Sequence, residues 1–95
     1  MEHILVDRDG NIVPTPKVKY IDDKEPTLKE MQKFVGGLIQ LIPLEDGRDM
    51  IINEEGKYTD NRPNIEATKI AKNVLFEGDF IVGDVMILSG NAKLK

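Results

Sequence analysis

Ninety-five residues supply one modest hydrophobic core and are too few for two independent ones. A 40% apolar and 32% charged composition belongs to a globular chain, and the absence of cysteine excludes disulfides, thiolate metal sites and cysteine nucleophiles together. A net charge of −4 with both signs interspersed offers no basic patch to phosphates, so nucleic acid is not an expected partner.

His3–Val6 and Asn11–Val13 are short apolar runs around Asp7-Arg8-Asp9-Gly10, a pattern that predicts a β-hairpin. Asp7-x-Asp9 invites a calcium reading, but an EF-hand loop wants glycine at its sixth position and glutamate at its twelfth. Here glycine falls at the fourth and the twelfth is Val18, which favours a plain turn. Pro14 and Pro16 impose extended backbone, and Lys17–Ile21 is expected to form an edge strand before a charged connector, Asp22–Pro26.

The unit around which the chain is organised runs from Thr27 to Asn53. Thr27 and Glu30 have capping-box spacing and predict a helix start, with Leu28, Met31 and Val35 on its apolar face. Gly36-Gly37 ends that helix, since a glycine takes the left-handed conformation at little cost. Leu38–Leu44 is apolar except at Gln40, which predicts an interior strand covered on both faces, with Pro43 near its end. Asp46-Gly47 predicts a type I′ hairpin into a returning strand, Asp49–Asn53.

Glu54–Lys57 reads as a second turn and Tyr58–Asn61 as an irregular link. Asn64 is the expected cap of a helix over 64–74, with Asn61 the alternative if Pro63 lies in the first turn, and Ala67, Ile70, Ala71 and Val74 of that helix should cover the sheet beside the first helix. Glu77-Gly78-Asp79 turns into a last strand, Phe80–Leu88, broken at Gly83-Asp84. A regular pleat would bury that aspartate on an apolar face, so a bulge is expected there, with the carboxylate held by donors. Ser89–Lys95 reads as a frayed tail. The expected fold is α+β: a single small domain over 1–95, with a mixed or antiparallel sheet of four or more strands and two helices packed on it. Residues 1–26 form a hairpin and connector, 27–88 the core and 89–95 the tail.

No apolar run approaches the twenty residues that span a bilayer, and no signal peptide is recognisable at the N-terminus, so a cytoplasmic location away from membranes is expected. Catalytic machinery is not expected. His3 is the sole histidine and Ser89 the sole serine, so a triad would need both chain ends, and zinc would lack nitrogen and sulfur ligands. Gly36-Gly37 closes a helix, whereas phosphate-cradling glycines open one. Asp46 and Glu54-Glu55 flank opposite ends of a five-residue strand that starts at Asp49, roughly 15 Å apart and too far for one acid/base pair. No catalytic, metal or cofactor residue is therefore assigned, although a carboxylate-only magnesium or calcium site is not excluded by residue type. Glu55, Asn64 and Asp84 stand beside a turn, a cap and a break, where a polar side chain can serve the backbone or contact a ligand or partner.

The blocks Leu28-x-x-Met31-Gln32-x-x-Val35-Gly36-Gly37-x-Ile39, Asn53-Glu54-Glu55-Gly56-Lys57, Pro63-Asn64-x-x-Ala67-Thr68 and Ile81-Val82-Gly83-Asp84-Val85 resemble a family of short domains of unknown function. That family is found largely in bacteriophages, prophages and mobile elements. The likeness spans Leu28–Leu88 and leaves out the first twenty-six residues. It implies a small phage-type protein of the host cytoplasm and brings no catalytic residue. With the small acidic domain, it leads to a non-enzymatic module that binds a host or phage protein. The alternatives are a small-ligand or nucleotide-binding module and a carboxylate/metal-dependent enzyme. A homodimer through Lys17–Ile21 is a further option, opposed by the edge charges Lys17 and Lys19.

Overall fold

A strand that is apolar on both faces needs a cover on each side, and this requirement sets the architecture. The computed structural model describes residues 5–6, 10, 12–13, 15–59 and 62–93; His3, Asp7, Asp9 and Asn61 lie outside them. The strands β1 (Leu5–Val6) and β2 (Ile12–Val13) pair antiparallel, Leu5 opposite Val13, as the expected hairpin requires. The main sheet contains β3 (Val18–Ile21), β4 (Ile39–Pro43), β5 (Asp49–Asn53) and β6 (Val85–Leu88), in the order β3-β6-β5-β4. It is mixed: β3 runs parallel to β6, while β5 is antiparallel to both of its neighbours. With α1 (Leu28–Val35), α2 (Gly56–Thr59) and α3 (Ile65–Ile70), the fold is α+β.

Side chains alternate along each strand, and the two faces receive different helices. Met50, Val85 and Ile87 point to the face covered by Ala67 and Ala71. Ile51, Met86 and Leu88 point to the face covered by Met31 and Val35. The helices therefore lie on opposite faces, not side by side as expected, because β5 and β6 are apolar on both. Burial of each large side chain here contributes on the order of 1.5–3 kcal/mol.

Local rules hold around α1. Thr27 Oγ1 accepts from the Glu30 N–H at 3.1 Å, and Glu30 Oε1 accepts from the Thr27 N–H at 3.2 Å. The bond from the Thr27 N–H, followed by one from the Thr27 hydroxyl, holds the Glu30 carboxyl below its usual range. Gly36 closes the helix at φ 89°. Met31 and Val35 are buried, but Leu28 is exposed, so the apolar face begins one turn later than its spacing predicts.

The chief correction concerns β4, which is an edge strand instead of an interior one. Leu38 and Leu41 are 58% and 38% exposed. The Glu54 N–H donates to Leu38 O and the Leu44 N–H to Arg48 O, both at 2.8 Å. With the ladder's alternation, these bonds turn the even-numbered residues toward β5 and aim the backbone groups of Ile39, Leu41 and Pro43 outward. Pro43, the last residue of β4, therefore sacrifices no ladder bond. The β4–β5 hairpin closes without a type I′ turn. Gly47 has φ 89° and its N–H donates to Leu44 O, but no described non-glycine residue has positive φ, so Asp46 does not adopt the required angle.

Further along, α2 takes in the end of the expected turn and the first two residues of the expected irregular link, whose last two, 60–61, lie outside the described residues, and α3 is shorter than 64–74. Beyond Ile70 the chain continues in turns, and Val74 is largely exposed. The last strand starts at Val85, not at Phe80. Residues 81–83 instead run antiparallel to 62–64: the Asn64 N–H donates to Ile81 O at 2.8 Å and the Gly83 N–H to Arg62 O at 2.9 Å. Gly83, at φ 74°, redirects the chain from that small bridge into β6, so the break is a corner rather than a bulge. The tail is not frayed through Lys93. The Ser89 N–H donates to Ile21 O, and a 3-10 turn, Gly90–Ala92, buries Ala92 completely.

Candidate functional site

Two of the three candidate polar residues meet at one point of the backbone. Asn64 caps α3, its Oδ1 accepting from the Ala67 N–H at 3.0 Å, while its Nδ2 donates to Gly83 O at 2.8 Å and Lys17 O at 3.2 Å. Asp84 Oδ1 accepts from the Lys17 N–H at 2.8 Å and lies 3.8 Å from Arg62 Nη2. Lys17 is thus clamped from both sides, its carbonyl by Asn64 and its N–H by Asp84. Asn64 is almost fully buried, and these bonds occupy its amide. Thr68 extends the clamp, donating to Asn64 O at 2.7 Å and accepting from the Ile81 N–H at 2.9 Å. Glu55 stands apart from this pair, exposed ahead of α2, with its N–H donating to Asn53 Oδ1 at 2.8 Å.

An apolar concavity lies elsewhere. A groove of about 640 Å³ runs beside β4, floored by Ile42 and Ile52 and walled by α2 and residues 74–82. Tyr58 and Phe76 stand on it at 92% and 88% exposure, and Phe80 is 44% exposed. Rings so exposed leave apolar area in water that burial elsewhere would favour. Lys57 and Asp79 form an ion pair in the wall, and Lys57 Nζ sits 4.9 Å from the centre of the Phe80 ring. The hydrogen bond from Lys57, followed by that from the Phe80 N–H, holds the Asp79 carboxyl below its usual range.

Sequence reasoning missed this groove because Tyr58, Phe76 and Phe80 occur in turn-rich segments where periodicity is silent. The signal it passed over was their chemistry: three aromatic residues in turns or at element ends. Among the described residues, no three His, Cys, Asp or Glu side chains gather closely enough to hold a metal ion. No described helix is long and apolar enough to cross a membrane.

The family model described as Domain of unknown function (DUF3846) matches residues 1–93. The chain belongs to this family. No curated protein and no solved structure matches the chain. The DUF3846 match reaches into the residues that the sequence resemblance left out, and the fold gives a reason: β3 belongs to the main sheet, and Lys17 is part of its central clamp. The four quoted blocks also touch one another. Asn53 Nδ2 donates to Val35 O at 3.3 Å, and a Cβ on Gly37 would stand 3.1 Å from the same amide. A Cβ on Gly56 would stand 3.0 Å from Val82 Cγ2. The glycines of three blocks, Gly37, Gly56 and Gly83, thus lie at close approaches or at the corner into β6.

Proposed function

We propose that this DUF3846 domain is a non-enzymatic protein-binding module that takes an extended segment of a host or phage protein in the cytoplasm. The segment adds to the outer edge of β4 and places alternate side chains in the adjoining groove. One observation carries this reading: β4 has the apolar composition of an interior strand but lies at the edge, with Leu38 and Leu41 exposed and the N–H groups of Ile39 and Leu41 aimed outward. An open apolar edge is a template for pairing with another chain, and soluble proteins blunt such edges unless they use them. Pro43 limits the edge to those two outward donors.

A second reading, a small ligand in the groove, draws on its volume, which is within the range of small-molecule pockets. It is weaker because the groove's main polar pair, Lys57 and Asp79, is spent on itself. Affinity capture from phage-infected cells with the full chain and with Leu41→Pro tests the choice. This proline removes an outward N–H that β5 does not use. The proposal expects one stoichiometric partner that the variant loses while its thermal melt stays within a few degrees, about 0.5 kcal/mol. A partner retained by the variant, or a small molecule that raises the melting temperature of both proteins equally, would count against edge pairing.

A further inference from the structure

The groove is electrically unbalanced. Its charged lining residues are Glu54, Lys57 and Asp79, and the last two neutralise each other. At its other end Val74 leads into a smaller depression of about 170 Å³ lined by Glu45 and Asp46. Asp46 is paired with Arg48 at 2.8 Å, whereas Glu45 accepts only from the neutral amide of Asn73 among the described residues. Glu54 and Glu45 thus mark the two ends with carboxylates that no described cation pairs.

Between those ends lie aromatic faces, and the protein already shows how one of them holds a cation. The Lys57 ammonium sits over Phe80 while Asp79 takes its hydrogen bond, an arrangement in which ring face and carboxylate share one positive charge. Tyr58 and Phe76 present far more exposed rings beside it. We infer that the segment bound along β4 is basic, with Lys or Arg side chains that lie over Tyr58 and Phe76 and reach Glu54 and Glu45 at the two ends. This rests on the docking reading above and adds the chemistry of the partner. Complementary charge at the ends of a strand-sized groove fixes register and excludes acidic competitors, while the apolar floor supplies contact area. A second copy pairing through its own β4 does not fit, since Ile39–Pro43 brings no Lys or Arg to meet those carboxylates.

The test is selection from a displayed library of random peptides about ten residues long, using the full chain as bait. The pool's affinity is then measured for the wild type, for Tyr58→Ala/Phe76→Ala, and for Glu45→Lys/Glu54→Lys. The expected pool is richer in Lys and Arg and poorer in Asp and Glu than the input. The aromatic double variant should weaken it by about tenfold or more, and the charge-reversed variant should weaken it likewise while melting at the wild-type temperature. A neutral or acidic pool that still needs Tyr58 and Phe76 would overturn the basic partner and leave the docking reading standing. A pool indifferent to all four residues, or no enrichment, would overturn both. A concentration-dependent dimer in sedimentation, abolished by Leu41→Pro, would assign the edge to a second copy and overturn the inference.

Discussion

β4 and β6 are spelled alike and live differently. Both are nearly unbroken apolar runs, yet β6 lies between two strands under two helices with every side chain buried, whereas β4 has one strand neighbour and exposes Leu41. In β6 the apolar residues serve the fold alone. In β4 the same residue types exceed what the fold uses, and that surplus is where binding is to be sought. Composition therefore measures how much apolar surface a strand has, while position decides whether the protein itself consumes it.

Substitutions in the core have the largest expected effect. Ile87→Ala should cost about 2–5 kcal/mol by transfer loss and cavity formation, read from denaturant melts. A loss under 1 kcal/mol would mean that β6 is not the central strand. Next come the residues of the clamp on Lys17. Asn64→Ala should cost about 1–3 kcal/mol, because it strands the Gly83 carbonyl, leaves the Lys17 carbonyl only its bond from the Val85 N–H and uncaps α3. Asp84→Ala should cost less, about 0.5–1.5 kcal/mol, through loss of its hydrogen bond from the exposed Lys17 N–H, and should leave partner binding intact. Binding lost without any change in melting would place Asp84 in the interaction surface and overturn its structural role.

How much of this was legible follows the range of the interactions. The capping box, the αL glycine at 36, the strand Asp49–Asn53 and the Asn64 cap are set by neighbours a few residues apart, and the sequence spells them. Strand order is not local. Leu38–Leu44 reads as interior because an apolar run reports potential burial, and only the pairing of β3 with β6 fills the position that β4 was expected to hold. Gly83-Asp84 was recognisable as a break, but its partner strand, 62–64, was not, since that bridge leaves no period in either segment. Glu55, Asn64 and Asp84 stood out because polar residues in special backbone settings do. The groove's aromatic residues did not, because nothing in their spacing distinguishes a solvent-facing ring from a buried one.

At the open end of the comparison, Leu41→Thr should change stability by less than about 0.5 kcal/mol, since the side chain is already partly in water and the strand conformation is kept. The smallest expected effect is electrostatic. Asp79 is held below its ordinary value, so its pairing with Lys57 contributes fully above that value and is lost as the pH falls through the lowered one. The stability difference between wild type and Asp79→Asn should therefore be present at neutral pH and close on acidification. It should be small and sensitive to salt, because the pair is exposed. A difference that widens in acid would reverse the assigned sign.

The parallel pairing of β3 with β6 also governs when the protein can exist at all. Lys17 waits for Asp84, 67 positions downstream, and at about 5–20 residues per second the ribosome takes on the order of 3–13 s to deliver it. Until then β3 has no strand to join, and the β4–β5 hairpin has neither its inner neighbour nor a completed face. The nascent chain thus carries β3 without a partner, and the inner edge of β5 open, until residues 85–88 have been made. The four-stranded sheet can close only after Val85–Leu88 has emerged to lie between β3 and β5.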